Sequence, residues 1–194
     1  MSASGAPDVA LVQLADALPA EGGLLGEVAI DPTADADGTI AAAIAIGPRA
    51  ADIGRDLALA AEATREAELL HHAPEHARVV RTDDRDLALL VGDRLLALGL
   101  QRLAAGGWVA EIAILADVVA MVATLHAGDA WSQTDRTAGT GHPDEARDRT
   151  RTLWAVAALA LGHGTGSPAA VLLAEIRRGR APTAERLESL LASG

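Results

Sequence analysis

Cysteine, lysine, phenylalanine and tyrosine are missing from the 194-residue chain. Without cysteine there is no disulfide, no thiolate nucleophile and no zinc–thiolate site, and the chain is compatible with a reducing compartment. Without lysine there is no Schiff-base amine and no phosphate-gripping lysine; all 16 basic residues are arginine. The 27 acidic residues leave a net charge of −11. That charge opposes broad contact with nucleic-acid phosphates or with anionic lipid. Residues 1–7 have neither a basic nor an apolar region and read as a polar, disordered tail rather than a signal peptide. The longest uncharged run, 153–174, is interrupted by the glycine-rich turn at 162–168 and reads as two helices, so no membrane span and a cytoplasmic location are expected.

What is present is apolar and small. Half of the residues are hydrophobic, and Trp108, Trp131 and Trp154 are the only aromatics. The core must be leucine, alanine, valine and isoleucine. Alanine favours helix and lets helices approach closely. The expectation is an all-α protein, an antiparallel helical bundle forming one domain over 1–194.

The first helix is expected from an Asp8 cap to about Leu18, and a second short segment from Leu24 to Ile30. The acidic stretch from Asp31 to Gly38 has proline second and lacks the closing glutamate of a calcium loop, so it reads as a plain loop. Thr39 to Ile46 is too short for periodicity to separate helix from buried strand. Pro48 fits the first turn of a long helix to His72, ended by Pro74.

Thr82 or Asp83 is expected to cap the next helix, Asp86 to Leu103. It is apolar nearly all round, which predicts a position at the centre of the domain. Gly106-Gly107 should join it to a helix from Trp108 to about His126. Asp93 and Asp117 lie inside these apolar runs, at an element edge or paired with Arg94 or Arg102. Residues 129–142 read as a loop. Pro143 opens a helix that stops at Gly162, Ser167-Pro168 caps another to about Arg178, and Pro182 or Thr183 starts the last.

His71, His72 and His76 lie close to Glu68 and Glu75. If the helix continued, His72 and His76 would share a face as metal ligands. Pro74 argues against continuation. A solvated helix end, with cationic histidines at the negative end of the dipole, accounts for the cluster. The turn at 162–168 could cradle an anion on backbone amides but has no lysine, and Ser132, Ser167 and Ser189 have no nucleophile elbow around them.

One pattern goes further. Glu68-Leu69-Leu70-His71, then Arg81, then the run from Leu87 to Ala104 containing Leu90, Gly92, Asp93, Leu95 and Leu96, resembles the trans-isoprenyl (polyprenyl) diphosphate synthases over roughly residues 50–130. The resemblance implies a truncated isoprenoid-synthase-like bundle, with Glu68, His71, Gly92 and Asp93 as the family-pattern positions. Those enzymes carry two Asp-Asp-x-x-Asp motifs whose carboxylates hold the magnesium ions that draw off diphosphate. Here residues 71–80 stand where the first motif belongs, and the later half has only Pro143-Asp144-Glu145-Ala146-Arg147-Asp148. The Arg-Arg-Gly and the lysines that grip isopentenyl diphosphate are also missing. Asp83-Asp84-Arg85-Asp86 is one residue short of the motif and reads as a helix cap.

The chain is therefore closest in character to the small, non-catalytic subunit of two-component polyprenyl diphosphate synthases, including those that make quinone side chains. That implies a regulatory or chain-length partner, associated with a catalytic subunit or with itself. No cofactor of its own is implied, and magnesium would act only through the partner. Two other readings stand beside it. One is an enzyme with a divergent site on His71, His72, His76 and Glu68; the other is a plain α-helical interaction or scaffold protein.

Overall fold

In the computed structural model, residues 9–32, 40–127, 143–180 and 182–192 are described, with backbone alone at 21, 143–146 and 184. The expected tail at 1–7, the Asp8 cap, most of the acidic loop and the loop at 129–142 lie outside the described residues. The described residues form nine α-helices and no strand. They are α1 (Val9–Glu21), α2 (Gly23–Glu27), α3 (Ile40–Ala45), α4 (Ala50–His72), α5 (Arg85–Ala105), α6 (Val109–His126), α7 (Pro143–His163), α8 (Pro168–Arg177) and α9 (Ala184–Ala192), with a 3-10 turn at Pro74–His76. The segment 39–46, open between helix and strand, is helical from Ile40.

The expected centre of the bundle is corrected. It is α4, not α5. From Leu57 to Leu70, α4 is buried almost continuously, including Glu62, Thr64, Glu66 and Glu68. By contrast α5 buries one face, Ala88, Val91, Gly92, Leu95, Gly99 and Leu103, and leaves Leu89 and Leu90 exposed. Its apolar outer face misled the pattern. Glu62, Glu66 and Glu68 in the buried stretch of α4 look like a solvated face in sequence, but each has a partner inside the fold.

From α4 to α7 the helices run alternately up and down. Gly92 of α5 lies against His71 and Gly99 against Ala60, so α5 is antiparallel to α4. Arg49 pairs with Glu111 at one end and Glu68 with His126 at the other, so α6 is parallel to α4. Arg65 lies over Trp154 while the amide of Arg49 donates to Gly162 O, so α7 is antiparallel to it. Two apolar clusters meet on α4. One gathers Leu103, Leu115, Val118, Leu153, Leu161 and Leu172 from α5 to α8. The other gathers Leu11, Leu14, Leu70, Val79, Val91 and Leu95 from α1, α4, α5 and the segment between them.

Helix ends follow local chemistry. Asp84, rather than Thr82 or Asp83, caps α5: its carboxylate accepts from the amides of Asp86 and Leu87 at 2.9 and 3.1 Å. Thr82 sits one step back and accepts from the Asp84 amide. Gly107, at φ 73°, turns the chain between α5 and α6 in a conformation that side chains resist. Pro48 lies in the turn before α4. α7 continues through Gly162 to His163, and Gly164 at φ 91° ends it. Ser167 caps α8 as expected, accepting from Ala170 N at 3.2 Å.

Candidate functional site

The last turn of α4 carries Glu68, His71 and His72, and the chain leaves the helix at Ala73 because Pro74 cannot continue it. Arg85, at the start of α5, reaches back and donates to the carbonyls of Leu70 and His71, satisfying acceptors that the helix end leaves open. Since α6 runs parallel to α4, its own last residue, His126, arrives beside the same turn.

Glu68 is the hub. It is buried, accepts from Arg65 one turn back, and receives the Nε2–H of His126 at 3.1 Å. The ring of His126 stacks on His72 with centroids 3.8 Å apart and planes 5° from parallel. His71 stands edge-on to His72 and turns the other way, with Nε2 3.3 Å from the Asp93 carboxylate. On the far side Arg65 lies 5.8 Å over the Trp154 ring, a cation–π contact.

The pKa of His72 is lowered. Burial opposes its charged form first, the stacked His126 second; Glu68 works in the opposite direction. His72 thus departs from the expected cationic form, while its place at an exposed helix end is as expected. At neutral pH the cluster holds a neutral His72 ring against a His126–carboxylate pair. Such a pair orients an imidazole, the arrangement used by general acid–base groups.

Of the pattern positions, His71, Gly92 and Asp93 come together at the crossing of α4 and α5, while Glu68 faces Arg65 and His126 instead. A Cβ on Gly92 would lie 2.6 Å from His71 Nε2 and 3.3 Å from Ala67 O. Glycine at this place lets the imidazole of His71 lie on the α5 backbone, within 3.3 Å of Asp93 on the next residue. His76 is not part of this group. The 3-10 turn carries it away, to 2.6 Å from Arg147 and 3.7 Å from Glu75. The proposed sharing of a face by His72 and His76 therefore fails, because α4 ends between them. Among the described residues no three histidine, aspartate or glutamate side chains group so as to hold a metal ion.

His126 was the member sequence reasoning did not connect. It lies 58 residues from Glu68, and only the parallel packing of α6 on α4 joins them. Asp117 pairs with Arg177, and Arg102 with Asp56; neither pairing was expected.

A second polar group lies deeper. Glu62 and Glu66 are fully buried and Arg78 is 6% exposed. Glu66 accepts from the amides of Arg78 and Val79 and from Arg78 Nε at 3.1 Å. Glu62 accepts from Ala41 N at 3.1 Å and pairs with Arg78 Nη2 at 2.8 Å, close enough for attraction but without hydrogen-bond alignment. These contacts tie α3 and the segment before α5 to α4. Thr150 Oγ1 and Trp154 Nε1 are buried with no hydrogen-bond partner among the described residues.

Compared with family models, with curated proteins and with solved structures, the chain matches none. One helix among the described residues, α6, is long and apolar enough to cross a membrane by length and composition alone.

Proposed function

We propose that this chain is a prenyl-synthase-like helical subunit that does not itself ionise an allylic diphosphate. It acts beside a catalytic polyprenyl diphosphate synthase subunit in isoprenoid, quinone-side-chain biosynthesis. The observation that carries the reading is the seat of His71 on Gly92. The two stretches of the resemblance, the end of α4 and the Gly92-Asp93 part of α5, pack against each other through His71. A chance likeness would not need its glycine where its histidine lands.

Charge supports the non-catalytic half of the reading. A diphosphate leaving group needs several positive charges or bound cations at its oxygens. The chain has no lysine and no Asp-Asp-x-x-Asp motif. Seven of its arginines, at 49, 65, 78, 102, 151, 177 and 186, already pair with carboxylates of the chain.

A second reading draws on the histidine cluster. The Glu68–His126 pair stacked on a neutral His72 is an acid–base arrangement without an assigned substrate. Incubating the pure chain with farnesyl diphosphate, isopentenyl diphosphate and magnesium separates the two. No prenyl product is expected. Turnover that His126→Ala abolishes would move the assignment to the second reading, and turnover of any kind would end the first.

A further inference from the structure

The helix α6 leaves its apolar packing before it ends. Val122 is its last buried residue; Ala123 and Thr124 are exposed and Leu125 is half-buried. Beyond Val122 the strongest tie to α4 is His126. Its Nε2 lies 3.1 Å from the buried Glu68, and its ring covers that of His72 at 3.8 Å. The end of α4 is anchored separately. Arg85 donates to the carbonyls of Leu70 and His71, and the Ala73 amide closes the last turn on Leu69 O at 2.7 Å. One side of the contact is therefore fixed, and the other hangs on His126 and the edge of Leu125.

A stack of two imidazoles is sensitive to acid. A neutral ring lies flat on another at little cost, but two charged rings at that separation repel. Glu68 and His71 face His72 from its own helix, Arg85 from α5 and His126 from α6. On α7, Arg147 meets His76 instead. Of the groups facing His72, Glu68 alone favours its charged form, and that carboxylate already serves Arg65 and His126. A proton added to His72 therefore meets no unshared carboxylate among the described residues, and moving away from His126 relieves it. Burial and the His126 contact hold the His72 pKa below the ordinary 6.5. Parting the rings restores the ordinary value, so the parted form binds the proton better and acid favours it. The contact is fully formed above pH 6.5 and weakens as pH falls below it.

We propose that Glu68, His72 and His126 form an acid-released latch: when both stacked rings carry charge, His126 swings off and the last turn of α6 parts from α4, opening Glu68 to water. The movement is local, because α6 stays packed through Ile114, Leu115, Val118 and Val122. It does not depend on the prenyl-synthase reading.

The test is amide hydrogen exchange of the full chain at pH 7.5 and pH 5.0, corrected for the intrinsic pH dependence of exchange. Protection of the amides at 123–126 should fall about tenfold in acid, while α4 from Leu57 to Leu70 keeps its own. His72→Phe keeps a flat ring against His126 without its titration, and the end of α6 should stay protected at pH 5.0. If that variant fails to fold, proton NMR of the parent decides: the rings of His72 and His126 should show cross-relaxation at pH 7.5 and none at pH 5.0. Equal protection of 123–126 at both pH values overturns the proposal. So does a loss spread evenly over α4 and α6, an acid loss that His72→Phe shares, or ring contact that persists at pH 5.0.

Discussion

The two apolar clusters that meet on α4 solve one problem with different chemistry. The cluster shared with α6, α7 and α8 is built mainly of alkyl side chains around Trp154, with the Arg49–Glu111 pair at one end. The cluster shared with α1, α5 and residues 77–80 lies against two buried glutamates and one buried arginine. In the first, long helices present continuous apolar stripes to each other, and burial at roughly 25 cal/mol per Å² is enough. In the second, an irregular segment must be laid against a helix, and its amides need acceptors inside the protein. Glu66 supplies them to Arg78 and Val79, and Glu62 does the same for Ala41 at the head of α3. A core without phenylalanine or tyrosine has few distinctive shapes. The charged group gives this half of the molecule an arrangement that leucine and alanine alone would not single out.

Breaking the charged half should have the largest effect. Arg78→Met leaves two carboxylates buried without their cation, and should cost about 3–5 kcal/mol in urea unfolding. Replacing Glu62, Glu66 and Arg78 together by apolar residues of similar volume removes the charges as a set. That triple variant should recover most of the loss, at the risk of releasing residues 77–80 from α4. If the triple variant is as unstable as Arg78→Met, the amide contacts of Glu66 matter more than the ion pairs.

In the alkyl half, Leu115→Ala should cost about 3 kcal/mol through lost transfer energy and a residual cavity. Its effect should add to that of Arg78→Met within about 0.5 kcal/mol, because Leu115 belongs to one cluster and Arg78 pairs with glutamates beside the other. Strong coupling between them would show that the clusters are one cooperative lattice rather than two.

Close approach comes next. A Cβ at Gly162 would meet the backbone oxygen of Ile44 at 2.7 Å, which cannot move aside alone. Gly162→Ala should cost about 1–3 kcal/mol, by thermal unfolding. At Gly92 the nearest atoms belong to the His71 ring, which can turn away. Gly92→Ala should cost less, about 1 kcal/mol, yet separate His71 from Asp93.

The smallest effect is the titration of His72. Its folded pKa lies below the ordinary 6.5. The folded chain then binds fewer protons than the unfolded chain as pH drops, so His72 lowers stability progressively between 6.5 and its folded value. Above 6.5 it contributes no pH dependence. Proton NMR should place its midpoint below that of a free histidine. His126→Ala should raise it part of the way, leaving the larger, burial-driven part in place.

Much of this was legible in the sequence. Helix class, the Gly106-Gly107 joint and the Ser167 cap follow from propensity and turn chemistry that act within a few residues. The role of α4 was not legible, because Glu62, Thr64, Glu66 and Glu68 spell a wet helix unless Arg78, Arg65 and His126 are known to meet them. The prominence given to α5 had the converse cause: Leu89 and Leu90 read as core and stand exposed. Pattern reports what a side chain is, and only packing reports what it faces. For the candidate site, Glu68, His71 and His72 were named and His126 was not joined to them, since a partner 58 residues away leaves no periodic signal. His76 was included for proximity in sequence and excluded by a proline two residues before it.

The proposed role is tested most directly by product length. A catalytic prenyl diphosphate synthase subunit bearing both aspartate motifs, ideally one encoded beside this chain, is supplied with labelled isopentenyl diphosphate, farnesyl diphosphate and magnesium, with and without this protein. The expected result is a shifted product distribution or rate when the two are mixed, and no product from this chain alone. Polyprenyl product from this chain alone, or a partner whose products and rate are unaffected at saturating concentrations, would contradict it.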